Sequence, residues 1–170
     1  MGKTVNCLIA CILVVLAASP LFAEDDMAKK MSDILMKAPD EEHWQVTSDE
    51  VLMWIKTGKT DFMVLDVRPD IEEYKAGHIP SAIHIPYYAV LDTENLKKLP
   101  KDKKLVLACA TGQLENLPVA GLRMLGYEAY TLLFGYVSWI KEYGGGDAIK
   151  SIIDKAAAKN YPLEQTGGAK

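Results

Sequence analysis

Hydrophobic positions along the chain follow two different spacings. Met27, Met31, Ile34, Leu35 and Ala38 recur three and four residues apart and stop before Pro39, which predicts an amphipathic leader helix. Methionines at that spacing fit core contact better than a ligand set. Thr47-Ser48-Asp49-Glu50 has the residue types of a capping box, and Val51, Leu52, Trp54 and Ile55 continue as a second helix stopped at Gly58. The runs then shorten. Phe62 to Val67 is a nearly continuous apolar stretch of strand length, as expected for a strand buried on both faces. A short helix over 71–76 stopped at Gly77, a strand over 82–85, a polar helix over 89–99 and a strand over 105–108 follow. Next come a helix over 118–125 halted at Gly126, a strand over 130–133 and a helix over 136–143. Strands alternating with helices predict an α/β fold, a small parallel sheet of about five strands with helices on both faces. Gly144-Gly145-Gly146 marks a break before a last helix over 148–159 and a polar tail over 164–170.

The N-terminal residues follow neither spacing. Lys3 precedes an apolar run, Leu8 to Ala18, followed by Ser19-Pro20 and by Ala23 just before the acidic Glu24-Asp25-Asp26. A basic start, a short apolar run and a small residue at the end predict a secretory signal peptide over 1–23, cleaved after Ala23. The run falls short of the roughly 20 apolar residues of a spanning helix. The expected location is therefore outside the cytoplasm, in a bacterial periplasm. A rival reading takes Leu8-Ile9-Ala10-Cys11 as a lipoprotein box, but the apolar run continues past Cys11 instead of preceding it. Membrane attachment follows only if the signal is retained or Cys11 is lipidated. The resulting division is signal 1–23, leader helix and linker 24–43, a domain over 44–143, and Gly break, C-terminal helix and tail over 144–170.

Composition removes some functions and isolates one residue. The net charge of −4, with no dense basic stretch, lacks the footprint of a nucleic-acid binder. Losing the signal with Lys3 would take it to −5. It would also remove Cys7 and Cys11, leaving Cys109 alone and no internal disulfide. An odd cysteine in an exported chain points to intermolecular pairing or a reactive thiol. His43, His78 and His84 are scattered and no second cysteine stands near them, so no metal site and no cofactor are expected.

Cys109 closes a predicted central strand and opens the loop Ala110-Thr111-Gly112-Gln113-Leu114-Glu115, with Asn116 as a candidate N-cap and Pro118 in the first helical turn. Parallel sheets bind ligands beyond the carboxyl ends of their strands. Loop N–H groups and a helix N-terminus converging on the sulfur would favour a thiolate of lowered pKa. On this pattern alone, a small core cysteine is an equally good reading.

The motifs go further. Leu65-Asp66-Val67-Arg68-Pro69, Glu73-Tyr74, Gly77-His78-Ile79-Pro80, Ala82-Ile83 and Ile85-Pro86 resemble the rhodanese homology domain, with Ser81 where that family usually has Gly. Cys109 with Gly112, Gly126-Tyr127, and Gly135 with Trp139 resemble its later segments, Tyr136 replacing a second Gly. The resemblance covers about Trp44 to Tyr143. It implies a sulfurtransferase in which Cys109, cradled by loop amides, takes sulfur from a sulfane donor as a persulfide and passes it to a thiol or to cyanide. The implied partners are a small sulfur compound (thiosulfate, polysulfide or persulfide) and a thiol acceptor. Asp66 and Arg68 resemble the pair that braces the sheet end. Arg68 with Glu73 reads as a structural ion pair, and His78 as a hydrogen-bonding buttress of its turn.

The loop departs from the family where cations are common, carrying Gln113, Leu114 and Glu115. A carboxylate at position 115 stands where a C-x5-R phosphatase needs its arginine, which argues against phosphatase chemistry. Directed inward, Glu115 would raise the Cys109 pKa and oppose an anionic donor such as thiosulfate. Directed outward, it would be solvated and inert. A low-turnover carrier or non-catalytic binding module is the alternative, and a thiol redox enzyme would need a partner's thiol.

Overall fold

The computed structural model describes residues 20–141, 143 and 146–164. Lys3, Cys7, Cys11 and the tail beyond 164 lie outside them. Among the described residues no helix is long and apolar enough to cross a membrane.

Five parallel strands form one sheet in the order β1-β5-β4-β2-β3: β1 Gln45–Val46, β2 Phe62–Asp66, β3 Ile83–His84, β4 Lys104–Ala108 and β5 Glu128–Leu132. The register pairs Asp66 with Ala108 and Leu107 with Thr131, so the carboxyl ends of β2, β4 and β5 are level. Leu65, Val67, Leu105, Leu107 and Cys109 join the core on one face, with Val119 and Leu122 of α5 (Asn116–Met124). Val46, Val64, Val106, Ala108 and Leu132 face the other, with Val51 of α2 (Ser48–Lys56) and Tyr136 of α6 (Tyr136–Trp139). Burial on both faces accounts for the continuous apolar runs. Thr47 forms the expected capping box with Glu50, and Gly77 ends α3 (Ile71–Ala76).

Several elements differ from the sequence expectation. The leader helix α1 is Pro20–Leu35, starting before Ala23 and so running through the expected cleavage point; proline suits a first helical turn. Ala38–Trp44 is an irregular 3-10 segment instead of a plain linker, anchored by buried Trp44 and by Arg123 on Glu41 at 2.6 Å. The long helix over 89–99 is absent. In its place stand a 3-10 turn, Tyr87–Ala89, and one helical turn, α4 Thr93–Leu96, because Asp92 is extended and restarts the chain. α6 stops at Trp139, with Ile140 extended, instead of reaching 143. A last helix, α7 Gly146–Ala157, follows the glycine break.

Candidate active site

Cys109 lies one residue past β4, 1% exposed. The loop after it is shaped from outside by the turn that follows β5. Tyr136 N–H donates to the Cys109 carbonyl at 2.8 Å and Val137 N–H to that of Ala110 at 3.2 Å. With these carbonyls held outward, the backbone N–H groups of Thr111, Leu114 and Glu115 are directed at the sulfur. Two glycines permit the close approach. A Cβ on Gly135, at φ +57°, would run into the Cys109 carbonyl, and one on Gly112, at φ +84°, would sit 3.1 Å from the Phe134 nitrogen. Ala110, Thr111, Gly112 and Leu114 are partly buried, while Gln113 is exposed at the rim.

The expected start of α5 needs correction. Asn116 is not the N-cap of α5. It is the first helical residue, its side-chain amide donating to the Gly112 carbonyl and tying the loop to the helix. The N-cap position is Glu115, whose backbone is already helical and whose side chain turns inward.

Glu115 is fully buried, which removes the outward-pointing alternative. Its Oε2 accepts the Cys109 backbone N–H, and among the described residues its Oε1 has no hydrogen-bond partner. Burial pushes this carboxyl up to about 8 from an ordinary 4.5, against the opposing hydrogen bond from the Cys109 backbone. The Cys109 thiol is also raised, not lowered as its place in an amide loop suggested. Burial is the main cause and the Glu115 charge the second; together they outweigh the loop N–H groups.

A braced cluster flanks the loop at the end of β2. Arg68, 2% exposed, forms a two-pronged pair with Asp66, Nη2 to Oδ2 at 2.6 Å and Nε to Oδ1 at 3.0 Å. Its principal partner is therefore Asp66; Glu73 stands off at 3.9 Å. Arg68 also donates to the Gly77 carbonyl at 2.7 Å, and its guanidinium stacks 3.9 Å from the Tyr136 ring centre. The Tyr136 hydroxyl donates to Asp66 at 2.8 Å and accepts the Ile79 N–H at 3.0 Å. Tyr136 was not singled out for a role in the sequence. The signal was its bulk where the resembling family carries Gly. His78 is exposed, bonded to the Tyr74 carbonyl at 2.9 Å and stacked on that ring at 4.0 Å.

Two clefts border this region. Arg68, Glu73, His78, Tyr136, Trp139 and Tyr143 line one of about 540 Å³. Thr111, Gly112, Gln113, Phe134 and Val137 line another of about 530 Å³, together with Ile152 and Ile153 of α7. The second touches the cysteine loop; the first touches only the brace.

The fold and loop define a class: a parallel α/β domain presenting a cysteine in a cradle of backbone amides at the carboxyl end of its sheet. The model of the rhodanese-like domain matches residues 47–142, more than half of the chain, and the chain belongs to that family. A tRNA sulfurtransferase of Desulfurococcus amylolyticus is 41% identical over 75 residues, 44% of this chain and 14% of that protein. The probable adenylyltransferase/sulfurtransferase MoeZ of Mycobacterium tuberculosis is 33% identical over 98 residues, 57% of this chain and 24% of that protein. The chain thus spans about a quarter or less of the length of these relatives. The crystal structure of a rhodanese-like domain protein from Staphylococcus aureus matches with a TM-score of 0.51 and 28% identity, covering 58% of this chain and 92% of that one.

Proposed function

We propose that the protein is a sulfurtransferase in which Cys109 accepts a sulfane sulfur as a persulfide and passes it to a thiol, or to cyanide in an assay. The observation that carries this reading is the sulfur at the end of β4 with the N–H groups of Thr111, Leu114 and Glu115 directed at it. Such a cradle stabilises a thiolate and, after transfer, a persulfide anion. The sulfurtransferase relatives support the same chemistry. A buried carboxyl in place of a loop cation favours polysulfide or persulfide donors over dianionic thiosulfate. Asp66, Arg68 and Tyr136 position the loop without touching the sulfur. The signal read over 1–23 makes export to the periplasm part of the proposal.

The test is intact-mass measurement after incubation with glutathione hydropersulfide. The wild type gains one sulfur on Cys109, discharged by cyanide or thiol, and Cys109→Ser gains none. A stable adduct that no acceptor discharges would make the protein a carrier; no adduct would refute both readings.

A further inference from the structure

We propose that Glu115 is a catalytic proton carrier for Cys109, taking the thiol proton as the sulfur attacks and returning it to the leaving thiol. This deepens the sulfur-transfer reading and rests on it. Glu115 shares the loop with the reacting sulfur, is fully buried, and spends one oxygen on the Cys109 N–H while the other has no partner among the described residues. A buried carboxylate oxygen without a donor is costly. A carboxyl that gains and loses a proton there is neutral through part of each cycle. The same carboxyl neighbours the Cys109 thiol, and its charge opposes ionisation of that sulfur.

The surroundings leave the thiol as its proton partner. From β5 the Leu132 backbone faces the carboxyl. At the end of β2, Asp66 and Arg68 are engaged with each other, and from α6 the Tyr136 hydroxyl is committed to Asp66. The pair's first proton comes off near pH 8, where Glu115 titrates. The remaining proton is then shared between carboxyl and thiol.

With a hydropersulfide R–S–SH the step balances. The Cys109 proton moves to the Glu115 carboxylate, and the thiolate attacks the outer sulfur. A new S–S bond forms as the old one breaks. The electron pair leaves on RS⁻, which takes the proton from Glu115. The products are Cys109–S–SH and R–SH, with no oxidant or reductant required. An alkyl thiolate is a basic leaving group that profits from the proton, whereas the sulfite that departs from thiosulfate needs it less.

The experiment measures persulfidation of Cys109 by mass, with glutathione hydropersulfide and with thiosulfate, for the wild type and Glu115→Gln. General acid–base catalysis contributes about 10²–10⁴-fold, so the ratio of the glutathione hydropersulfide rate to the thiosulfate rate should fall about a hundredfold in the variant. The wild-type hydropersulfide rate should rise through about pH 8, and the variant should lose that inflection. Equal slowing with both donors overturns the return of the proton to the leaving thiol, a wild-type profile with no inflection there overturns the proton role altogether, and either result leaves sulfur transfer standing. A wild-type profile that stays flat through that range overturns the proton role even if the variant fails to fold. No adduct on wild-type Cys109 from either donor overturns sulfur transfer itself, and this inference with it.

Discussion

Burial of Glu115 makes the stability of the whole domain depend on pH over a range where ordinary carboxylates are silent. In the folded protein this carboxyl titrates at about 8, and in the unfolded chain at the ordinary 4.5. Between those values the folded state keeps a proton that the unfolded state has released, so raising the pH favours unfolding. The contribution is fully present below 4.5 and is lost as pH rises through about 8. One proton over a gap of about 3.5 units, at 1.36 kcal/mol per unit, amounts to about 5 kcal/mol. That is comparable with the whole stability of a typical domain, about 5–15 kcal/mol. Glu115→Gln keeps an oxygen for the Cys109 N–H and cannot ionise, so it abolishes this loss. The assay is urea unfolding followed by the fluorescence of Trp44, Trp54 and Trp139, at unit steps from about pH 5 to about pH 9. The difference between wild type and variant cancels the exposed carboxylates. Cys109, also raised, adds a loss of the same sign at higher pH, smaller in the variant, which lacks the Glu115 charge. Parallel curves for the two proteins between about pH 5 and pH 8 would refute the reasoning.

Three further outcomes follow from the same geometry. Arg68→Met leaves Asp66 buried with the Tyr136 hydroxyl but without its cation, and should cost about 3–5 kcal/mol by urea unfolding. Gly135→Ala adds a methyl against the Cys109 carbonyl; it should displace the loop and lower the persulfidation rate at least tenfold while the far-UV circular dichroism is kept. Ser81 holds a left-handed φ of +66°, so Ser81→Gly should raise stability by about 0.5–1 kcal/mol, the relieved strain being partly offset by the glycine's greater entropy loss.

The parts of the fold legible in the sequence are those where one force dominates. β2 and β4 are buried on both faces, so their residues form apolar runs that no helix of that length would need, and the Thr47–Glu50 cap is local chemistry. β1 is two residues long, too short to show a period, and exists because Gln45 and Val46 pair with Thr131 and Leu132. The polar stretch over 89–99 has helical composition but is broken at Asp92, with the Asn95 amide bonded back to the Ala89 carbonyl at 2.8 Å. At the site, the cysteine, its loop and the Asp66–Arg68 brace were visible as motifs. The role of Tyr136 was not, since its hydroxyl reaches Asp66 across 70 residues of chain. Nor could the sequence choose the direction of Glu115, because carboxylates are rarely buried without a cation.

The loop is therefore a balance between its backbone and one side chain. The turn after β5 holds the Cys109 and Ala110 carbonyls, which leaves three N–H groups facing the sulfur. That arrangement belongs to the backbone and does not depend on the residue at 115. In isolation it would lower the thiol pKa, as amide cradles do elsewhere. Burial and the Glu115 charge reverse the sign, yet the charge disappears whenever the carboxyl holds its proton. The penalty on the thiolate is thus conditional. It is strongest with the carboxyl ionised and relieved when the proton crosses from sulfur to oxygen. A fixed cation at this position would favour the thiolate permanently and attract anions. A buried carboxyl instead makes thiolate formation contingent on a local proton transfer, which suits donors whose leaving group needs that proton back.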